Sequence, residues 1–291
     1  LAKRWVASHL FSACLLEEAV ELLVAYIFLN PFPLGVPCSR INGFLRFLRL
    51  LSQYDWTYSP LIDNFLLRRK GQGENGQSTE AGMFLATVYD KASESWTGLS
   101  PSVLELKRLV AYARSSANLL TKLTFEDELG PYRWECLFRT PLSNYDALIL
   151  LHKDKLPYPQ RLLFPSEADN GKIIARGNPS KSFQPFLLPK DLKNKPAEAL
   201  KNKLLIDFDP SRFFIRDLEK EFSNTFKLWH DSLGGDVIGL TWKESYSSKK
   251  RKQEEGANEA HNPSKVLKAA GQVGKGFVRS IFFLKPPKPT N

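Results

Sequence analysis

Residues 41–60 read INGFLRFLRLLSQYDWTYSP, and this stretch decides the fold of the first half of the chain. Its apolar residues recur at the spacing of one face of an α-helix, while two arginines fall on other faces. The members of the apolar stripe are Ile41, Phe44, Leu45, Leu48 and Leu51. The stripe predicts an amphipathic helix that packs on a core and stops before Pro60, because a residue that precedes proline disfavours helical geometry.

The length and composition predict two domains that belong to a longer protein. A chain of 291 residues is long for one compact domain. It shows neither an initiator methionine nor a signal peptide, so it is expected to be part of a longer protein. The most apolar run, residues 19–29, is too short to cross a membrane, and no membrane partner is expected. Cys14, Cys38 and Cys136 are odd in number and far apart, which indicates a reducing compartment rather than disulfides or a zinc site.

The positive charge is confined to the second half of the chain. Residues 1–150 contain 15 basic and 15 acidic residues, whereas residues 151–291 contain 26 basic and 16 acidic ones. Residues 243–291 alone contain 11 basic and 4 acidic residues. Such a concentration indicates a polyanionic or acidic partner for the C-terminal half only.

The first half is predicted to be mostly helical. Helices are expected over residues 1–12, 16–29, 39–53, 79–95 and 101–123. Ser100 is expected to cap the last of these, with Pro101 in its first turn. Residues 71–77, which read GQGENGQ, are expected to form a surface loop.

The second half is predicted to mix strands and helices. Strands are expected over residues 134–139, 147–151, 204–208 and 237–242, with irregular chain between 157 and 203. A helix should begin at Asp209-Pro210, end at Gly234-Gly235, and bury one apolar face. The members of that face are Phe214, Leu218, Phe222, Phe226 and Trp229. Residues 249–261 are charged and expected to be disordered, and a last helix is expected over residues 266–283.

Three patterns that resemble catalytic signatures are better explained structurally. Asp207 and Asp209 have the spacing of magnesium ligands in nucleotidyltransferases, but Asp209 has a sufficient role as a helix cap. Residues 271–276 read GQVGKG, which has the wrong spacing for a phosphate-binding loop and suits close helix packing. The four histidines are scattered without metal-ligand spacing. The sequence therefore predicts no catalytic residue, no metal and no cofactor.

The basic residues near the C-terminus are the best candidates for a functional site. Lys249, Lys250, Arg251 and Lys252 form a run that suits a nuclear import signal, a phosphate-contacting patch or a solvated loop without a partner. Further basic residues follow on the last predicted helix and favour RNA as the partner. These are Lys265, Lys268, Lys275 and Arg279. No aromatic RNP-type motif or KH loop indicates sequence-specific reading.

Several stretches, in order, closely resemble the C-terminal part of the nucleolar RNA-associated protein (Nrap) family. They are residues 3–6 (KRWV), 43–56, 138–142 (FRTPL) with Tyr145-Asp146, Asp209-Pro210, and 234–239 (GGDVIG) with Trp242-Lys243. The resemblance implies an α+β chain: a mostly helical domain similar to the one in poly(A) polymerases and oligoadenylate synthetases (PAP/OAS1-like), over residues 1–157, and a smaller α+β domain with a basic tail, over residues 158–291.

The resemblance also implies a role. Family members resemble tandem nucleotidyltransferases that have lost activity and serve as scaffold in the small-subunit processome of the nucleolus. The implied partners are pre-ribosomal or small nucleolar RNA, a ribosomal-RNA-processing partner protein and casein kinase 2. The favoured hypothesis is a non-catalytic scaffold module in ribosome biogenesis. One alternative is the accessory part of an active nucleotidyltransferase with an upstream catalytic head. Another is a purely protein-binding module whose basic run serves only for import.

Overall fold

The computed structural model describes residues 1–31, 33–56, 61–62, 82–87, 90, 100–125, 134–156, 209–243, 246 and 262–287. Its contacts divide the chain into two units. Unit 1 comprises Leu1–Leu142 and Trp229–Gly235, and unit 2 comprises Ser143–Leu228 and Asp236–Asn291. Helices and an antiparallel sheet are both present, so the predicted α+β class is confirmed. The predicted domain boundary between residues 157 and 158 stays a prediction.

Unit 1 is built mainly from helices. They are α1 (Ala2–Ser8), α2 (Glu17–Leu29), α3 (Arg40–Gln53) and α4 (Val103–Phe125). Two short strands, β1 (Leu61–Ile62) and β2 (Leu85–Ala86), pair in parallel. The core of this unit is made by side chains that are fully buried. Among them are Trp5, Leu23, Phe47, Leu48, Leu51 and Leu109.

The helix predicted from residues 41–60 is confirmed as α3, with one change in its buried face. Ser39 caps it, because the Ser39 hydroxyl accepts a hydrogen bond of 3.1 Å from the Asn42 backbone N–H. Leu48 and Leu51 are fully buried, as expected. Ile41 is exposed, however, and Phe47 is buried instead. The buried face of the helix is therefore rotated toward Phe47, which lies one turn before Leu51.

Four predictions in unit 1 are wrong in detail. The first helix ends at Ser8 rather than residue 12. The helix expected over residues 79–95 is contradicted by strand β2 within that range. Helix α4 is capped by Ser102 rather than Ser100, since Ser102 and Glu105 exchange side-chain-to-backbone hydrogen bonds of a capping box. The strand expected over residues 134–139 is a 3₁₀-helix, Trp134–Phe138.

Unit 2 is a four-stranded sheet with helices packed on it. In chain order its elements are β3 (Ala147–Leu151), α5 (Pro210–Glu221), β4 (Phe226–Trp229), β5 (Val237–Trp242), α6 (Pro263–Val273) and β6 (Val278–Phe283). The spatial order of the strands is β4-β5-β3-β6. Strand β3 pairs antiparallel with both β5 and β6. Strands β3 and β5 were predicted with these bounds.

The core of unit 2 lies between one face of the sheet and the two helices. Strand β3 contributes Ala147, Ile149 and Leu151, which alternate with residues of the opposite face. Helix α5 and helix α6 bury their apolar faces against them. These faces consist of Phe214, Ile215, Leu218, Leu267 and Ala270.

Two helix predictions in unit 2 extend too far. Helix α5 begins at Pro210 as expected but ends at Glu221, and Phe226 and Trp229 belong to strand β4. The helix expected over residues 266–283 is α6 followed by strand β6. The break falls at Gly274 and Gly276, and Gly276 has a φ of +82°, which glycine adopts without strain. The strand expected over residues 204–208 lies outside the described residues.

Candidate nucleic-acid interface

Helix α6 is anchored at both ends, and this fixes which of its faces is presented to solvent. At its start the Asn262 side chain accepts a 2.9 Å hydrogen bond from the Ser264 backbone N–H. Towards its end a Cβ on Gly271 would stand 3.1 Å from Ile281, and one on Gly274 would stand 2.6 Å from the Phe214 ring. The small residues therefore permit close packing, as predicted from the GQVGKG stretch, and orient the opposite face outward.

The outward face of α6 and the strand that follows carry four of the predicted RNA-binding residues. Lys265 and Lys268 are exposed on α6, one turn apart. Lys275 is exposed in the turn after the helix, and Arg279 is exposed on β6 rather than on a helix. We call Lys265, Lys268, Lys275 and Arg279 the cationic face. Lys249, Lys250, Arg251 and Lys252 lie outside the described residues, and their role stays a prediction.

The segment that carries the cationic face contains positive charges and no negative side chain. Residues 262–291 contain no Asp or Glu, so no neighbour along this segment neutralises it. In the described part of the chain, no salt bridge joins Lys268, Lys275 or Arg279 to a carboxylate. Exposed cations of this kind attract phosphates through a long-range field that salt screens.

The fold adds a lysine that sequence reasoning missed. The Lys155 ammonium donates a hydrogen bond to the Gly276 carbonyl, which places this exposed side chain beside the turn that contains Lys275. Lys153, in the same 3₁₀ turn, lies 3.4 Å from the Asp236 carboxylate. No sequence signal relates Lys155 to Lys275, because 120 positions separate them and they are brought together by the folded structure, in which β3 pairs with β6.

Asp209 acts as a helix cap, as the sequence predicts. Its carboxylate accepts a 2.9 Å hydrogen bond from the Ser211 backbone N–H and lies 3.6 Å from the Arg212 guanidinium. Asp207 lies outside the described residues. Across the described ranges, no group of three or more His, Cys, Asp or Glu side chains is arranged to hold a metal ion. Nor does any helix in those ranges have the length and apolar character needed to span a membrane.

A cleft of about 490 Å³ in unit 1 has a largely apolar lining between α2 and α3. Its lining includes Val20, Val24, Phe28, Phe44 and Phe47. The charged members are Lys3, Glu21 and Arg40, and the Lys3 ammonium is paired with Glu21 at 2.5 Å. The side chains that line the cleft include no hydroxyl, thiol or histidine, so they form no Ser–His or Cys–His pair.

His9 is a buried titratable group of unit 1, and its environment is structural. The residue is 3% exposed, and Nδ1 of its ring lies 2.9 Å from the Trp5 carbonyl oxygen. Burial lowers the pKa of His9 to about 4, the hydrogen bond to Trp5 opposes this, and the nearby Arg108 guanidinium lowers it further. His9 is therefore neutral at physiological pH and packs between Trp5 and Tyr112.

The stretches that carry the family resemblance have structural roles in unit 1. Arg4 forms a 2.8 Å ion pair with Asp231, whose carboxylate is almost fully buried. The Trp5 indole N–H donates to the Ser116 hydroxyl at 3.0 Å. A Cβ on Gly235 would stand 2.5 Å from Asp231, so this glycine allows the turn to close on that carboxylate.

The matching stretches in unit 2 are structural as well. The Asp146 carboxylate accepts a 2.9 Å hydrogen bond from the Trp242 backbone N–H. Gly239 lies under the fully buried ring of Tyr145, where a Cβ would approach within 2.5 Å of Cδ1. These contacts fix the fold of unit 2.

Comparison with known proteins finds one family domain in each half of the chain. The family model described as Nrap protein PAP/OAS1-like domain 5 matches residues 1–140, and Nrap protein domain 6 matches residues 142–281. The chain belongs to the Nrap family, and the matched domains are the C-terminal pair predicted from the sequence.

Similar proteins carry nucleolar names. Nucleolar protein 6 of Xenopus laevis is 33% identical over 84% of this chain, and that of Homo sapiens is 30% identical over 84%. U3 small nucleolar RNA-associated protein 22 of Schizosaccharomyces pombe is 24% identical over 82%. The chain spans about a fifth of the length of these relatives, 20% in each case. Its location is accordingly the nucleolus, within the nucleus.

Proposed function

We propose that this chain is a non-catalytic scaffold module of a nucleolar protein that acts in small-subunit ribosome biogenesis and pre-rRNA processing. It contacts RNA through the cationic face of unit 2 and also binds processome proteins. The observation that carries the proposal is the cationic face itself: exposed cations on α6 and β6 within a segment that has no acidic residue. Phosphate contacts of this kind supply affinity without sequence preference.

The RNA partner is pre-ribosomal RNA or a small nucleolar RNA. The family membership and the name of the Schizosaccharomyces pombe relative, which associates that protein with U3 small nucleolar RNA, support this choice. The protein partners are processome components, including a ribosomal-RNA-processing protein and casein kinase 2. The basic run at residues 249–252 extends the RNA contact or serves as a nuclear import signal.

The RNA proposal predicts weak, salt-dependent binding by the 291-residue chain. Fluorescence anisotropy with labelled single-stranded RNAs of unrelated sequence is the direct measurement. Affinity should fall steeply between about 50 and 200 mM salt and should vary little with sequence, because counterion release dominates phosphate contacts. Tight binding that persists at high salt, or strong preference for one sequence, would contradict a contact made by the cationic face alone.

The competing function is an accessory role in an active nucleotidyltransferase. The PAP/OAS1-like description of the first matched domain favours this alternative, since such domains accompany catalytic heads. A nucleotide-incorporation assay on a full-length family protein that contains this chain, with an RNA primer and Mg²⁺, separates the two. The scaffold proposal predicts no extension above the metal-free control. Metal-dependent extension would overturn the non-catalytic assignment and leave the RNA contact intact.

A further inference from the structure

Strand β6 lies at the end of the described sheet of unit 2. In the spatial order β4-β5-β3-β6, β3 is its one strand partner among the residues that the structure describes. Three consecutive large apolar side chains at its end are about half exposed: Phe282 by 49%, Phe283 by 46% and Leu284 by 44%. Exposed apolar edge strands are unusual, because they offer a template for pairing with another chain.

The backbone of β6 has two groups of residues that point in opposite directions. The Leu151 N–H donates to the Asp236 carbonyl. The backbone N–H and C=O groups of the odd-numbered residues of β3 therefore point toward β5. The backbone groups of the even-numbered residues of β3 point the other way, toward β6, where their partners are Ser280 and Phe282. It follows that the N–H and C=O groups of Ile281 and Phe283 point away from the sheet.

These outward backbone groups have no hydrogen-bond partner among the residues that the structure describes. Strand β6 also shows a register irregularity, where Leu151 pairs with Val278 while Leu150 pairs with Ser280, which leaves Arg279 as a bulge. The regular part of the edge therefore runs from Ser280 to Leu284. Pro286 and Pro287 follow and end the ladder, because proline cannot donate a hydrogen bond.

We propose that the outer edge of β6 binds an extended segment of a partner protein, which adds a fifth strand to the sheet and carries acidic residues on both sides of an apolar centre. The backbone groups of Ile281 and Phe283 supply the hydrogen bonds. The apolar centre covers Phe282, Phe283 and Leu284. This inference rests on the scaffold role proposed above and names a surface for its protein partner.

The charge of the edge selects an acidic partner over a second copy of this chain. Two β6 edges that paired antiparallel through Ile281 and Phe283 would place Arg279 of one copy opposite Lys285 of the other. Like charges in direct opposition destabilise a sheet, whereas a partner with carboxylates at those two positions satisfies both cations. Residues 262–291 contain no acidic side chain that could relieve the repulsion.

The test uses ten-residue fluorescein-labelled peptides with four β-branched residues in the centre, flanked by glutamates in one peptide and lysines in its match. A third peptide repeats the glutamate sequence with N-methyl groups on alternate amides. Binding to the 291-residue chain is followed by anisotropy. We expect the glutamate peptide to bind at least about tenfold more tightly than the other two. No binding below about 1 mM, or equal binding of the N-methylated peptide, would overturn the proposal.

Two variants separate the backbone from the side chain. Phe283→Pro removes the outward N–H and the ring, whereas Phe283→Ala removes the ring and keeps the N–H. The proline variant should bind the glutamate peptide several-fold more weakly than the alanine variant. Lys220→Glu, an exposed change on α5, is the control and should bind like the parent chain. Equal affinities for the proline and alanine variants, both folded by circular dichroism, would contradict the backbone contact.

Hydrogen exchange gives a readout that does not depend on any variant. The amides of Ile281 and Phe283 should exchange rapidly in the unbound chain and become protected on addition of the glutamate peptide. The amide of Phe282, which faces β3, should be protected throughout. A concentration-dependent dimer of the chain that protects the same amides without peptide would instead assign the edge to a second copy. RNA binding by the Phe283→Pro variant, which retains Arg279 and the rest of the cationic face, tests the proposed function separately from this edge.

Discussion

At the scale of single residues, buried His9 makes unit 1 sensitive to acid. Burial holds the pKa of His9 at about 4, below the 6.5 of an ordinary histidine. The unfolded chain therefore binds a proton between these values that the folded chain does not, and this favours unfolding as the pH falls. The contribution is fully present above about pH 6.5 and is lost on acidification toward pH 4.

We predict that the free energy of unfolding of unit 1 falls by about 2 kcal/mol between pH 7 and pH 5 through His9 alone. Urea unfolding at the two pH values measures it. His9→Asn is the matched variant, since its amide can replace the Nδ1–H donor to the Trp5 carbonyl without titrating. The pH-dependent part should disappear in this variant. An unchanged pH dependence would show that other groups are responsible.

Two glycines should respond in opposite directions to the same added methyl group. Gly239→Ala places a Cβ 2.5 Å from the buried Tyr145 ring and should destabilise unit 2 by about 1–3 kcal/mol. Gly43→Ala, within α3, meets its nearest neighbour at 3.6 Å and should stabilise unit 1 by about 0.5–1 kcal/mol. Thermal unfolding of both variants measures the pair. Equal effects would contradict the tight packing of Gly239.

At the scale of elements, the N-terminus of α5 tests whether Asp209 serves structure. Asp209→Ala removes the acceptor for the Ser211 N–H and should cost about 1 kcal/mol of stability. Asp209→Asn keeps an acceptor oxygen, so its loss of stability should be only a few tenths of the loss in the alanine variant. Chemical denaturation of the two variants gives the comparison. A loss in the asparagine variant equal to that in the alanine variant would show that the charge, rather than the cap, matters.

Elements with one clear local signal could be predicted from the sequence. Helix α3 follows from its apolar stripe, strands β3 and β5 follow from short apolar runs, and the start of α5 follows from Asp209-Pro210. In each case propensity, pattern and boundary residues agree, so the local preference and the tertiary structure select the same element.

The predicted bounds of elements were wrong where a periodic apolar pattern continued across a turn. Phe222 and Phe226 lie four residues apart and share one core, although a turn separates α5 from β4. Apolar spacing alone therefore predicted one long helix. Likewise β6 continues the apolar pattern of α6, and the deciding feature is the turn at Gly274 and Gly276. Both errors have one cause: periodicity reports burial, and the turn between two buried elements is set by tertiary packing.

At the scale of the whole molecule, part of the candidate site could be predicted from the sequence and part could not. Sequence identified Lys265, Lys268, Lys275 and Arg279 through composition, but placed Arg279 on a helix instead of on β6. Lys155 joins this surface only because β3 and β6 pair, which composition does not reveal. The edge of β6 likewise has no signal in the sequence, since an edge is defined only by the order of the strands in the sheet.

This Nrap chain is proposed to contact RNA through the cationic face, and the salt dependence of RNA binding is the decisive measurement. The measurement is the slope of log affinity against log salt concentration for the parent chain and two quadruple alanine variants. One variant removes Lys265, Lys268, Lys275 and Arg279. The control removes four exposed cations of unit 1, Arg40, Arg49, Lys107 and Lys122.

Each phosphate contact on single-stranded RNA contributes about 0.7 to the slope. Loss of the cationic face should therefore lower the magnitude of the slope by about 2 to 3 and weaken binding to every RNA alike, while the unit 1 control keeps the slope of the parent chain. A parent-like slope in the cationic-face variant, or a larger loss in the unit 1 control, would contradict the claim.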